Sequence, residues 1–258
     1  MGAKRKFMLV GCAALVSFGG GCSDTDTPSE DDYDSVAQAL GSVTATADGG
    51  GEVGSLIDVS AIATGSDRIG IEVKASGAWG GTRAGLTYDY DVSCSDADGK
   101  PLNPCSNATD SASVDVKWSG ELTTPVISGT VSRTGMIELS DIQSGTVTID
   151  GQGTLTVDAH FDAVLRDATA DYHLSYTADY SGLRVQRAAA KVLGGTISYA
   201  LDVERQATNR ARESSAHFEI DAELVFAADG TAKLTLDGDH QYTVDASSGA
   251  VAKAATTP

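Results

Sequence analysis

The chain has 258 residues, with 36 Asp and Glu against 18 Lys and Arg for a formal net charge of −18. Its hydrophobic content of 41% suffices for a packed core and argues against wholesale disorder. The acidic balance argues against a nucleic-acid partner, because phosphate binding needs clustered Lys and Arg.

At the N-terminus Lys4, Arg5 and Lys6 precede an apolar stretch, Phe7 to Phe18, and then Gly19-Gly20-Gly21-Cys22. Basic, apolar and small-residue regions in that order form a secretory signal. The apolar stretch is too short to cross a ~30 Å hydrocarbon core as a permanent helix. A Cys straight after small residues resembles the lipobox of bacterial lipoproteins, although Gly19 stands where that family usually has Leu. The resemblance implies cleavage after residue 21, lipidation of Cys22 and membrane anchoring, with ordinary secretion as the alternative. Ser23 after the anchor implies, by analogy with enteric bacteria, the outer membrane.

Residues 22–34 carry Asp24, Asp26, Glu30, Asp31, Asp32 and Asp34 and few apolar residues. They read as a flexible, self-repelling tether that holds a domain off the bilayer. With its β-rich body, the chain resembles predicted lipoproteins of myxobacteria and related Gram-negative bacteria. That likeness is specific only over residues 1–34 and implies an address in the cell envelope without an active site.

If Cys12 leaves with the signal and Cys22 is the anchor, Cys94 and Cys105 remain. Export places them in an oxidising compartment, and the turn-rich segment between them can fold back, so a disulfide is expected.

A short helical or irregular segment is expected over residues 35–66. Asp34-Ser35 can cap Val36 to Leu40, with Gly41 as the stop. A second helix is expected from Glu52 to Thr64, burying Val53, Leu56, Ile57, Ser60 and Ala61 on one face.

A β domain is expected over residues 67–254. Apolar residues alternate with polar ones at Ile69–Ala75, Leu86–Cys94, Val114–Trp118, Ile127–Arg133, Ile137–Leu139, Val147–Ile149, Leu155–Ala163, Tyr172–Tyr180, Ile197–Val203 and Phe218–Phe226. Leu234-Leu236 and Tyr242-Val244 complete the pattern. Asp150-Gly151, Ser181-Gly182, Asp229-Gly230 and Asp237-Gly238 supply the residues of tight hairpin turns. The fold class is therefore all-β: about a dozen antiparallel strands in a large meander. One wetted face requires such a sheet to curl into a barrel, half-barrel or sandwich, with the N-terminal helices plugging an open side. The same alternation also fits an outer-membrane barrel.

Candidate chemistry is sparse. Gly49-Gly50-Gly51-Glu52-Val53-Gly54 matches a dinucleotide fingerprint in letters but lacks the βαβ unit that it requires. Asp96-Ala97-Asp98-Gly99 resembles the start of a calcium loop without the later ligands and reads as a turn. His160, His173, Asp162 and Asp171 lie in the polar phase of two neighbouring strands. A short hairpin at Arg166–Ala168 sets His160 near His173 and opposes Asp162 to Asp171, the residue types of a transition-metal site. The competing reading is a solvated strand face. His217 shares a polar phase with Glu219, Asp221 and Glu223.

No common hydrolase, kinase or metalloprotease motif occurs, and no cofactor is expected. The expected role is non-catalytic: an envelope lipoprotein that serves as a structural element or binds a partner, such as another envelope protein or cations at its acidic outer face. One alternative is a carrier that encloses an apolar, lipid-like ligand among Tyr88, Tyr90, Phe161, Tyr172, Tyr176 and Phe218. The other is a metal-dependent enzyme built on the histidine face.

Overall fold

A computed structural model describes residues 26–45, 49–123, 127–163, 168–209 and 212–254. The signal segment, Cys22 and the first part of the expected tether lie outside the described residues.

The first helix, α1, spans Glu30–Thr44 and begins inside the stretch read as a tether. Ser29 is its cap: the Ser29 hydroxyl accepts from Asp32 N–H, and the Asp32 side chain accepts from the Ser29 N–H. This capping box satisfies two otherwise orphaned donors, and Glu30, Asp31 and Asp32 sit favourably at the positive end of the helix dipole. Acids that look like a self-repelling linker in the sequence therefore start a helix. Nor does Gly41 end it. A Cβ there would stand 2.5 Å from Gly249 O, so Gly41 lets the last turns of α1 approach that loop.

Helix α2 spans Gly51–Ile62 and opens on the glycine run. Gly51 has φ +78°, and a Cβ there would lie 2.5 Å from Val43 O, so the turn between the helices requires glycine. The helix is buried almost all round. Ile57 and Ala61, expected to face the core, are its least buried members, whereas Glu52 and Asp58 are buried.

The strands are β1 (Glu72–Val73), β2 (Trp79–Arg83), β3 (Leu86–Ser95), β4 (Pro101–Leu102), β5 (Ser111–Thr123), β6 (Ile127–Ser140) and β7 (Thr146–Ala163). They continue as β8 (Ala168–Gln186), β9 (Lys191–Asn209), β10 (Arg212–Phe226), β11 (Thr231–Leu236), β12 (His240–Asp245) and β13 (Val251–Lys253). All belong to one antiparallel sheet, β4 hanging on β3 and every other strand lying beside its sequence neighbour. The sheet is curled and not closed. Its apolar phase faces α1 and α2, and the polar phase faces outward.

Two expected turns are not turns. Asp150-Gly151 and Ser181-Gly182 lie within β7 and β8, where the ladders shift register. Such bulges bend and twist long strands, which helps the sheet to curl. Asp229-Gly230 and Asp237-Gly238 do connect hairpins. The alternation at Ile69–Ala75 is not realised as a half-buried strand either. Ile71 is buried, but Ile69 is 92% exposed and β1 at the sheet edge has only two residues.

One row of partners crosses seven strands: Leu86, Gly120, Val131, Val157, Leu174, Val203 and Phe218. β3 starts at this row, whereas β9 and β10 run on beyond it to Asn209 and Arg212. The β7–β8 and β9–β10 hairpins therefore overhang the sheet on the side of the α1 N-terminus.

Candidate functional site

The sequence-predicted histidines stand on the outer face of this overhang. Cross-strand register sets Asp158 opposite His173 and His160 opposite Asp171. His160 Nδ1 lies 2.6 Å from Asp171 Oδ1, and His173 Nδ1 lies 2.6 Å from Asp158 Oδ1. The structure corrects the expected pairing: Asp162 is in register with Thr169, and each histidine faces an aspartate directly. The β7–β8 register differs by two residues from the expected one, which exchanges a histidine pair for two acid–base pairs.

The row through Asp158 continues as His173, Glu204 and His217 on β8, β9 and β10. His217 Nε2 reaches diagonally to Asp202 Oδ2 at 3.0 Å. That hydrogen bond, aided by Glu204 and Glu219, raises the His217 pKa above its ordinary value. A shallow groove of about 410 Å³ runs over this face, lined by Thr130, Asp158, His160, Asp171, His173 and Glu204 among others. Both imidazoles of the β7–β8 pair are half-exposed, so the belt can exchange protons with solvent and attract cations. Among the described residues, no three His, Cys, Asp or Glu side chains converge closely enough to hold a metal ion.

The apolar face carries a second polar arrangement, repeated three times. Each unit joins a helix carboxylate to an arginine and a tyrosine from the strands. Asp32 on α1 accepts from Tyr172 at 2.9 Å and from Arg205 at 2.8 and 3.0 Å. Glu52 on α2 accepts from Arg133 and Tyr180, both at 3.0 Å, and Arg133 also donates to the Tyr180 hydroxyl at 3.0 Å. Asp58, fully buried, accepts two bonds from Arg83 at 3.1 and 2.8 Å, one from Arg68 at 2.9 Å and one from Tyr90 at 3.1 Å.

These charges survive burial because each is paired and hydrogen-bonded. Burial pulls against the Arg133 charge, but Glu52 and Tyr180 outweigh it and hold the guanidinium pKa above its usual value. Burial likewise opposes the Asp32 carboxylate, yet Ser29, Tyr172 and Arg205 together keep its pKa below the usual value.

The sequence held one signal for this interior network. Arg133 occupies the inward phase of β6 with Val131, Ile137 and Leu139, and an arginine in an apolar phase needs a buried acid. Which acid it meets depends on how α2 lies over the sheet. Tyr88, Tyr90, Tyr172, Tyr176 and Phe218, expected on the apolar side, are all buried there, and Phe161 is partly buried at its margin.

Cys94 and Cys105 form the expected disulfide, with their Cα atoms 5.5 Å apart. Asp96 makes a turn within that loop, its Oδ1 accepting from the N–H groups of Asp98 and Lys100. No helix among the described residues is long and apolar enough to cross a membrane. Compared with protein-family models, curated proteins and solved structures, the chain matches none.

Proposed function

We propose that this protein is a cell-envelope lipoprotein with a non-catalytic binding or structural role, held by a lipid on Cys22, in the outer membrane by the analogy at Ser23. In this reading the curled sheet is a packed scaffold whose acidic outer face meets another envelope protein. One observation carries the packed reading: α1 and α2 occupy the concave face, where a half-barrel carrier would hold its lipid, and three acid–arginine–tyrosine clasps fasten them there. Tyr88, Tyr90 and Tyr172, which could line a ligand cavity, hydrogen-bond to the helices instead.

Native mass spectrometry of the purified mature protein tests this reading. The expected spectrum is the mass of the polypeptide with its N-terminal acyl groups and no further stoichiometric adduct. A stoichiometric additional lipid would replace the scaffold with the carrier. Stoichiometric zinc, lost on substitution of His160 or His173, would favour the metal-dependent enzyme.

A further inference from the structure

The N-terminal segment leaves the domain at a defined place. Asp26 N–H donates to His217 O at 2.7 Å, and His217 N–H donates to Asp26 Oδ2 at 3.1 Å. Three residues later Ser29 caps α1, whose Asp32 is clasped by Tyr172 and Arg205. From Asp26 onward the chain is built into the sheet, and Ser23, Asp24 and Thr25 separate it from Cys22.

Four residue steps span at most about 14 Å when fully extended. Beyond His217, β10 extends to Arg212, and five strand steps make that overhang about 17 Å. The leash is shorter than the overhang. An anchor at Cys22 thus keeps the membrane within about 14 Å of Asp26, and a domain standing upright would drive its own hairpin into the headgroups.

We propose that the domain lies directly against the bilayer, with the β9–β10 overhang and the edge of β10 ahead of β11 turned toward the headgroups. The proposal rests on the reading of Cys22 as the lipid anchor. β11 pairs with β10 only from Ala222 onward, so Asp26 contacts a stretch of strand edge that β11 does not cover. Glu204 and Glu213 are exposed carboxylates beside that edge, Asp202 is bonded to His217, and Arg210 and Arg212 follow in the sequence, a mixed set of charges that suits the ammonium and phosphate groups of zwitterionic phospholipids. The His217 side of the acid–histidine belt then faces the membrane interface.

Energy transfer from the full, processed protein to acceptor-labelled zwitterionic vesicles tests the orientation. One donor is placed through Ser215→Cys on the β10 overhang, and another through Ala189→Cys in the β8–β9 turn at the opposite end. With Cys22 acylated and Cys94 bonded to Cys105, the introduced thiol is the one labelled. Transfer from position 215 is expected to be several-fold stronger than from position 189. A Thr208→Cys donor on the facing strand should behave like position 215.

Inserting twenty Gly/Ser residues between Cys22 and Asp26 allows a root-mean-square reach of roughly 25 Å and should largely erase the difference. Vesicle-bound protein with equal transfer from both ends, or a difference unaffected by the insertion, overturns the orientation while leaving the anchor intact. Protein that fails to float with the vesicles has no anchor, and both readings fall together.

Discussion

Arg133 on β6 and Glu52 on α2, 81 residues apart in the chain, meet at 3.0 Å with both side chains almost completely buried. Neither would be stable there alone. The pair fixes α2 over the centre of the sheet, and Tyr180 closes the triangle from β8.

Removing one partner should therefore cost far more than removing both. Glu52→Ala leaves an uncompensated buried guanidinium and is expected to lower unfolding stability by about 3–5 kcal/mol. The apolar double variant Glu52→Leu with Arg133→Met should recover most of that loss. Urea unfolding of the three proteins checks both statements, and a double variant no better than the single one would show that the pair is not the cause.

The tyrosines offer a spectroscopic readout of the same interior. All eight are buried, and burial raises the pKa of each. Tyr33 and Tyr172 are pushed up to about 12, by burial first and then by Asp237 and Asp32 respectively. A raised folded pKa means that folding favours the neutral phenol. This stabilisation is complete below the unfolded value near 10 and disappears as pH climbs towards 12. Absorbance at 295 nm should therefore show little tyrosinate at pH 10, then a steep cooperative rise as the protein unfolds. A gradual titration centred on pH 10 would contradict the burial.

His217 should titrate above the ordinary histidine range in NMR spectra of the folded protein, because Asp202 hydrogen-bonds the ring and Glu204 and Glu219 add negative charge. Its raised pKa contributes stability below the unfolded value near 6.5, and that contribution fades as pH rises through the folded value. Asp202→Asn should move the midpoint downward. An unchanged midpoint would place the cause elsewhere.

Reduction of Cys94–Cys105 reopens a loop with a sequence separation of 11. In the chain-entropy treatment this costs roughly 2–3 kcal/mol. Thiol labelling of the unfolded, unreduced protein should find both sulfurs blocked, and denaturant midpoints should fall on reduction without loss of the sheet.

Period-two alternation made the long strands legible, because each buries one face against the helices. Asp229-Gly230 and Asp237-Gly238 marked real hairpins, while Asp150-Gly151 and Ser181-Gly182 carry the same turn chemistry inside bulges. Local sequence does not distinguish a strand that turns back from one that kinks and continues. The start of α1 was hidden for a related reason. Glu30, Asp31 and Asp32 resemble a solvated linker until Tyr172 and Arg205, more than a hundred residues away, supply a buried partner set for Asp32. The histidine face was visible as a phase, but its pairing turned on a two-residue shift at the β7–β8 hairpin.

The meander has a consequence for how the chain matures. Every strand of the main ladder lies beside its sequence neighbour, so hairpins can zip up one after another as the chain emerges, with little loop entropy to overcome. Helix α2 finds Arg83 and Tyr90 early, but α1, although synthesised first, must wait. Asp32 finds Arg205 across 173 residues, Tyr33 finds Asp237 across 204 and Glu30 finds Lys253 across 223, so the docking of α1 is complete only when the last strands exist. Pulsed hydrogen exchange during refolding should protect the β6–β9 ladder before α1. A chain truncated after β7 lacks Tyr172 and Arg205, the partners of Asp32, and would then hold paired strands with α1 undocked, a species that exposes apolar surface and invites aggregation.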